Sequence, residues 1–300
     1  MTGATGAIGQ ALARALTSRG DEVVALTRDT GKARSTLGHG VEAVEWPEPT
    51  AQRAPVEALT GCDAVMNLMG APVAQRWSES AKRAIRESRV LGTHGLVEAL
   101  RLCEPRPRVL VSASATGRYG ARGSEPVDES APAADDFLAG VCVEWEREGQ
   151  AAEELGMRVV LARTGVVLSE SGGALEKMLP PFKLGVGGPV AGGRQYVPWI
   201  HLDDEIGALL LCLDDEEAHG PVNVTAPNPA TNKELSKTLG RVLRRPAIAP
   251  VPGSALRLLY GEMASIVTGG VRAVPKRLEE LGYEFEQPEL EPALRSATGR

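Results

Sequence analysis

The chain opens Met1-Thr2-Gly3-Ala4-Thr5-Gly6-Ala7-Ile8-Gly9, with a glycine at every third position and a helical pattern over Gln10–Ser18 directly behind them. Each glycine has a physical task in such a loop. One makes a tight turn, one lets backbone approach a pyrophosphate, and one lets the helix pack on a sheet. The helix N-terminus then offers N–H donors and a positive dipole to phosphates. A lone triplet is also what a flexible tail looks like. Here a β-branched run, Glu22–Thr27, follows the helix at the spacing a strand requires. Gly3, Thr5, Gly6, Ala7, Ile8 and Gly9 are therefore expected to cradle a dinucleotide.

The same opening sets a problem, because a loop of this kind emerges from a central strand and only Met1 precedes Thr2. Burying three or four Val, Ile or Leu side chains in that strand is worth roughly 5–10 kcal/mol, which rivals the stability of a whole domain. The expectation is a late start codon or a truncated chain, with a valine- or isoleucine-rich run encoded upstream.

Beyond the loop, β-branched runs at Glu22–Thr27, Asp63–Leu68, Arg108–Ser112 and Arg158–Ala162 alternate with helical patterns at Gln10–Ser18, Ser78–Leu102 and Asp136–Leu155. Strands separated by amphipathic helices imply an α/β fold, a doubly wound parallel sheet of Rossmann type covered on both faces. After Arg163 the pattern changes. Gly172–Gly193 reads as a loop-dominated lid, Asp203–Cys212 as a helix capped by Asp203, Pro221–Val224 as a strand, and Ala247–Val251 as extended. The predicted organisation is a nucleotide-binding domain over 1–165, with 200–225 returning to it, and a smaller substrate lobe over 166–199 and 226–300.

A net charge of −6 with scattered Lys and Arg argues against a nucleic-acid partner. Cys62, Cys103, Cys142 and Cys212 have no CxxC spacing, so neither a metal site nor a redox pair is expected. No apolar run has the length of a membrane span, and the N-terminus carries no signal-peptide pattern. A cytoplasmic protein with reduced thiols, acting on a small molecule, is the expectation; the oligomeric state is left open.

Strand Glu22–Thr27 ends at Thr27-Arg28. An acid at that strand end selects NAD through the ribose hydroxyls, whereas an Arg accommodates a 2′-phosphate. Thr27 and Arg28 thus favour NADP(H), with NAD(H) as the second choice. Asp29, one residue on, is the competing signal.

Further motifs follow: Asn67-Leu68-Met69-Gly70-Ala71-Pro72 with Arg76-Trp77-Ser78, Ser112-Ala-Ser114-Ala-Thr-Gly-Arg118-Tyr119-Gly120, Arg163-Thr-Gly-Val-Val-Leu168, Trp199-Ile-His201-Leu-Asp-Asp204, Thr225-Ala-Pro-Asn-Pro229 and Pro275-Lys-Arg-Leu278. Together they resemble the atypical short-chain dehydrogenase/reductases catalogued as the NAD-dependent epimerase/dehydratase family, over essentially the full chain apart from the first strand. The resemblance implies an extended two-lobe fold and NADP(H) binding. It implies that Asn67, Leu68 and Gly70 pass along the cofactor, and that Ser114 matches the catalytic serine of sugar-nucleotide epimerases. A serine capping strand-end backbone is an equal alternative for Ser114.

The superfamily's proton-transfer pair is a Tyr and a Lys four residues apart on one helix, where the Lys charge lowers the phenol pKa. The matching positions here are Leu138 and Cys142, the latter read as a packing residue. Val197 stands where sugar-nucleotide epimerases carry a diphosphate-binding Arg. Arg194 and Lys183, which lie in the same lobe, read as surface cations. Tyr119 is the remaining candidate acid. Tyr196, Trp199 and His201 are assigned to the substrate lobe, His201 more as a backbone-bonding residue than as a catalyst. Two readings stand: an epimerase, dehydratase or reductase on a small polar substrate using Ser114 and Tyr119, or an NADP(H)-binding module that senses without turnover.

Overall fold

The computed structural model describes residues 1–170 and 172–300. Parallel strands β1 (Val23–Thr27), β2 (Val41–Glu45), β3 (Ala64–Asn67), β4 (Val109–Ala115), β6 (Arg158–Thr164) and β10 (Gly220–Val224) build the main sheet. Its order is β2–β1, then β3–β4–β6–β10, all in parallel register. The two parts are joined at the chain start, where Thr2 bridges Leu26 of β1 and Asn67 of β3.

The sheet is buried on both faces because alternate side chains meet different helices. Val109 and Val111 of β4 and Val160 and Ala162 of β6 pack with α1 (Ala7–Ser18) and α6 (Leu202–Asp214). Leu110, Val159 and Leu161 point the other way, onto α3 (Glu79–Leu100). Helix α4 (Phe137–Gln150) lies against α3 and β4, where Gly149 approaches Ser112. Helix α2 (Thr30–Leu37) follows β1. Both α2 and β2 fall in stretches with no sequence assignment; the Val41–Glu45 run has only three apolar residues and is half-exposed.

Where a strand between β1 and β3 would lie there is a cavity of about 870 Å³, lined by Leu16, Val23, Val24, Val65 and Met66 and rimmed by charges such as Arg158. Met1 lines one end of it. Leu26 N donates to Met1 O and Thr2 N to Met66 O, both at 2.9 Å, while the Met1 ammonium donates to Val24 O at 2.5 Å. Burial lowers that ammonium from its ordinary value to about 6.

The second core joins β7 (Val166–Leu168) and β9 (Trp199–His201) with α5 (Gly173–Lys183), α7 (Asn232–Leu243) and α11 (Leu290–Ala297), around Leu175, Phe182, Trp199 and Leu239. Small pairings complete the chain: β8 (Tyr196–Val197) with β11 (Ala230–Thr231), and β5 (Pro126–Val127) with β12 (Arg272–Ala273). Helices α8 (Gly253–Tyr260), α9 (Ala264–Thr268) and α10 (Lys276–Glu280) surround them. The segment expected to be a loop, 172–193, contains α5. Its apolar residues Leu175, Leu179 and Phe182 share one face, and that burial outweighs Pro180 and Pro181 inside the helix.

The expected N-cap of α6 is corrected. His201, not Asp203, takes that position, and its Nδ1 accepts from Asp203 N at 3.2 Å. Asp203 sits in the first turn, where its charge complements the helix dipole.

Candidate functional site

The glycine loop lies at the carboxyl edge of the sheet, where open α/β folds bind ligands. Gly3 has φ +66°, and a Cβ there would stand 2.4 Å from Leu68 O, so the loop is pressed against the end of β3. A Cβ on Gly9 would meet Gly3 O at 2.3 Å; its absence lets α1 sit on the loop. Gly6 is the N-cap of α1. It supplies no side-chain cap, and the first turn, with Ala7 and Ile8, holds no acid. The positive end of α1 therefore keeps its N–H groups for an anion. Thr5 O is held by Gln10 Nε2 at 2.9 Å, which fixes the loop from behind.

At the end of β1, Arg28 is exposed and, among the described residues, has no carboxylate partner. The competing Asp29 is committed elsewhere: it caps α2, accepting from Lys32 N at 2.9 Å. Thr27 Oγ1 accepts from Asp29 N at 3.2 Å and shapes the same turn.

Asn67 is fully buried and its side chain is spent on structure. It accepts from Thr2 Oγ1 (2.8 Å) and donates to Thr93 Oγ1 (2.9 Å) and Ser112 Oγ (3.1 Å), tying the chain start to β4 and α3. Gly70 makes room for the Arg89 guanidinium, whose Cζ would be 2.8 Å from a Cβ there. Arg89 donates to Ala71 O and stacks over Trp145.

The proton-transfer candidates lie deeper than expected. Ser114 is buried and its Oγ donates to Glu146 Oε1 at 2.6 Å. Tyr119, the expected acid, is fully buried: its hydroxyl donates to Asn223 Oδ1 at 2.7 Å and accepts from Arg163 Nη1 at 2.9 Å. Burial raises its pKa further, so this phenol faces the interior rather than a ligand. Arg163 also donates to both oxygens of Glu146, at 2.8 and 3.0 Å. This buried pair escaped sequence reading. Its signal was present in Arg163, a charge within the apolar run of β6, which a buried strand tolerates only when paired.

Leu138, Cys142 and Glu146 follow each other at intervals of four along one face of α4. Burial pushes the Cys142 thiol up to about 12, with Glu146 adding to it, so this thiol is not a nucleophile near neutral pH.

In the lobe, Trp199 is a core residue rather than a cleft residue, fully buried with its indole N–H donating to Asn228 O at 3.0 Å. His201 is buried as the α6 cap. Of the three lobe residues only Tyr196 remains half-buried, its ring under the Arg272 guanidinium at 5.4 Å. The lobe closes on the glycine loop at Gly172, where a Cβ would lie 2.7 Å from Ala7 Cβ. Lys177 Nζ donates to Ala74 O beside it.

Comparison with known proteins follows the same lines. The sequence model described as the NAD dependent epimerase/dehydratase family matches residues 1–225, and a domain of unknown function (DUF1731) matches 251–297. The chain is 39% identical to the "Epimerase family protein SDR39U1 homolog, chloroplastic" of Arabidopsis thaliana, covering 99% of this chain and 85% of that protein. It is 40% identical to the "Epimerase family protein Mb2239" of Mycobacterium bovis, covering 100% and 97%. The crystal structure of human epimerase family protein SDR39U1 with NADPH superimposes with a TM-score of 0.87 at 33% identity, covering 100% of this chain and 98% of that one.

Proposed function

The chain belongs to the NAD-dependent epimerase/dehydratase family, and from that premise we propose that it binds NADP(H) and acts as an oxidoreductase of that family on a small polar substrate. The observation that carries the cofactor reading is the uncapped, acid-free N-terminus of α1 together with Arg28 at the end of β1, exposed and, among the described residues, without a carboxylate partner. The fit is chemical. Gly3 holds the loop tight against the end of β3, and Asp29, which would repel a 2′-phosphate, is turned into the cap of α2. The human relative crystallised with NADPH supports the same choice; NAD(H) is the weaker ligand.

The nicotinamide of a bound NADP(H) supplies hydride transfer. The chain's own contribution to proton movement is non-standard, because Leu138 and Cys142 occupy the positions of the family's Tyr and Lys. With Tyr119 closed inside the protein, Ser114 is the residue left at the strand end, and its hydroxyl is oriented by Glu146. A second reading, an NADP(H)-responsive module without turnover, is favoured by one specific observation: the phenol and the thiol of this region are both buried and both raised in pKa.

Titration of NADPH and NADH by fluorescence tests the cofactor reading. A charge-assisted contact to the 2′-phosphate predicts a preference for NADPH of about tenfold or more. Arg28→Ala should reduce that preference. Equal affinities in the wild type, or an undiminished preference in the variant, would refute the assignment.

A further inference from the structure

One cation near the carboxyl end of β4 has unspent hydrogen-bonding capacity. Arg118 lies in the 3-10 turn Thr116–Tyr119, which continues β4 directly and packs on α4, with Gly117 against Leu138. Its Nη1 stands 3.3 Å from Glu146 Oε2. Both oxygens of Glu146 are already taken, by Arg163 and by Ser114. Arg118 Nε is buried and has no partner. An unmade buried donor is costly, and a charged one more so.

The neighbouring guanidiniums of Arg163 and Arg89 have no buried nitrogen without a partner. Arg163 is spent on Glu146, Tyr119 and Glu129 O. Arg89 is closed over Trp145 and donates to Ala71 O and Ile85 O. Arg118 reaches the face of α4 that carries Leu138, Cys142 and Glu146, through its approach to Glu146, and after Arg89 its charge also bears on the Cys142 thiol. That face offers no cation of its own.

We propose that Arg118 contacts the nicotinamide-ribose half of NADP(H), its guanidinium supplying from the β4 turn the charged donor that α4 lacks. This rests on the NADP(H) reading above. A guanidinium suits the task, since its planar fork presents several donors to the hydroxyl and carboxamide oxygens of that half. The 2′-phosphate end belongs to Arg28, so the two arginines act on opposite halves of the ligand.

The test compares wild type, Arg118→Leu and Arg118→Lys in calorimetric titrations with NADPH and with adenosine 2′,5′-bisphosphate, which lacks the nicotinamide half. Arg118→Leu is expected to weaken NADPH by about tenfold or more and to leave the bisphosphate unchanged. Arg118→Lys should recover part of the loss. Equal NADPH affinity in wild type and Arg118→Leu overturns the proposal and leaves the guanidinium for a substrate anion. Equal loss for both ligands overturns it too, as the mark of a structural role, and Arg118→Gln, which keeps polarity, checks that outcome against misfolding. If the wild type fails to bind the bisphosphate, the NADP(H) reading fails first, and this proposal with it.

Discussion

Three consecutive acids at the start of α6 have three different environments. Asp203 is exposed. Asp204 is fully buried, yet it accepts from Glu286 N at 2.7 Å and Gln287 N at 2.9 Å and so anchors the C-terminal segment. Glu205 is buried with one oxygen held by Thr164 Oγ1 at 2.8 Å and the other unpartnered. Desolvation raises its carboxyl from about 4.5 to about 8. The sign follows from linkage. The native state holds this proton where the unfolded chain has released it, so the contribution of Glu205 is fully present below about 4.5 and is lost as pH rises through about 8. Glu205→Gln should therefore gain on the wild type as pH rises from 5 to 8.5, by about 2–4 kcal/mol in denaturant titrations. The comparison isolates Glu205 from the Met1 amine, whose lowered pKa works in the opposite sense between about 6 and 8. Parallel stability curves for the two proteins would show that the carboxyl is ionised in the fold.

At the scale of elements, the helices differ in how their N-termini are closed. Ser78, Asp136 and His201 cap α3, α4 and α6, and Thr231 with Glu234 forms a capping box on α7. Helix α1 has neither cap nor acid, and it is the one that follows the glycine loop. The strand position in front of that loop is the weak point of the sheet. Below Met1 the facing edges of β1 and β3 share the cavity rather than a ladder. Lengthening the chain upstream of Met1 by about five β-branched residues should place a strand there and convert the buried ammonium into an amide. The melting temperature is expected to rise by about 10 °C or more, with tighter NADPH binding. Unchanged melting would mean that the edges of β1 and β3 gain nothing from a strand between them.

Considered as one molecule, the two main cores draw on interleaved stretches of the chain. β5 pairs with β12 between residues 146 positions apart, Val127 opposite Ala273. Leu278, Tyr283 and Phe285 pack into the core of α1, α6 and the sheet. The C-terminal segment thus helps to support the main sheet, while Gly172, just before α5, lies against the glycine loop at Ala7. Gly172→Val should hold that closure open by meeting Ala7, since a side chain has no room there. We expect NADPH affinity to fall about tenfold or more, with a melting loss of only a few degrees from backbone strain. Isothermal titration beside a thermal scan separates the two. Unaltered NADPH affinity would show that the lobe contact and the cofactor are independent.

The sequence by itself determined the sheet's parallel architecture and the tight glycine turn in front of α1, because these rest on local rules: β-branched runs separated by helical patterns, and backbone freedom at glycine. It also identified α4 as a helix carrying Leu138 and Cys142 one turn apart. Only the tertiary structure decided where Tyr119, Trp199, Ser114 and Arg118 point. A tyrosine next to a strand end reads the same whether its hydroxyl faces a ligand or, as here, Asn223 from a strand more than 100 residues away. Asp29 illustrates the same limit in a short span, since its role depended on whether α2 began at Thr30. Burial of a polar group is compensated by partners that are distant in sequence, and no local pattern specifies those partners.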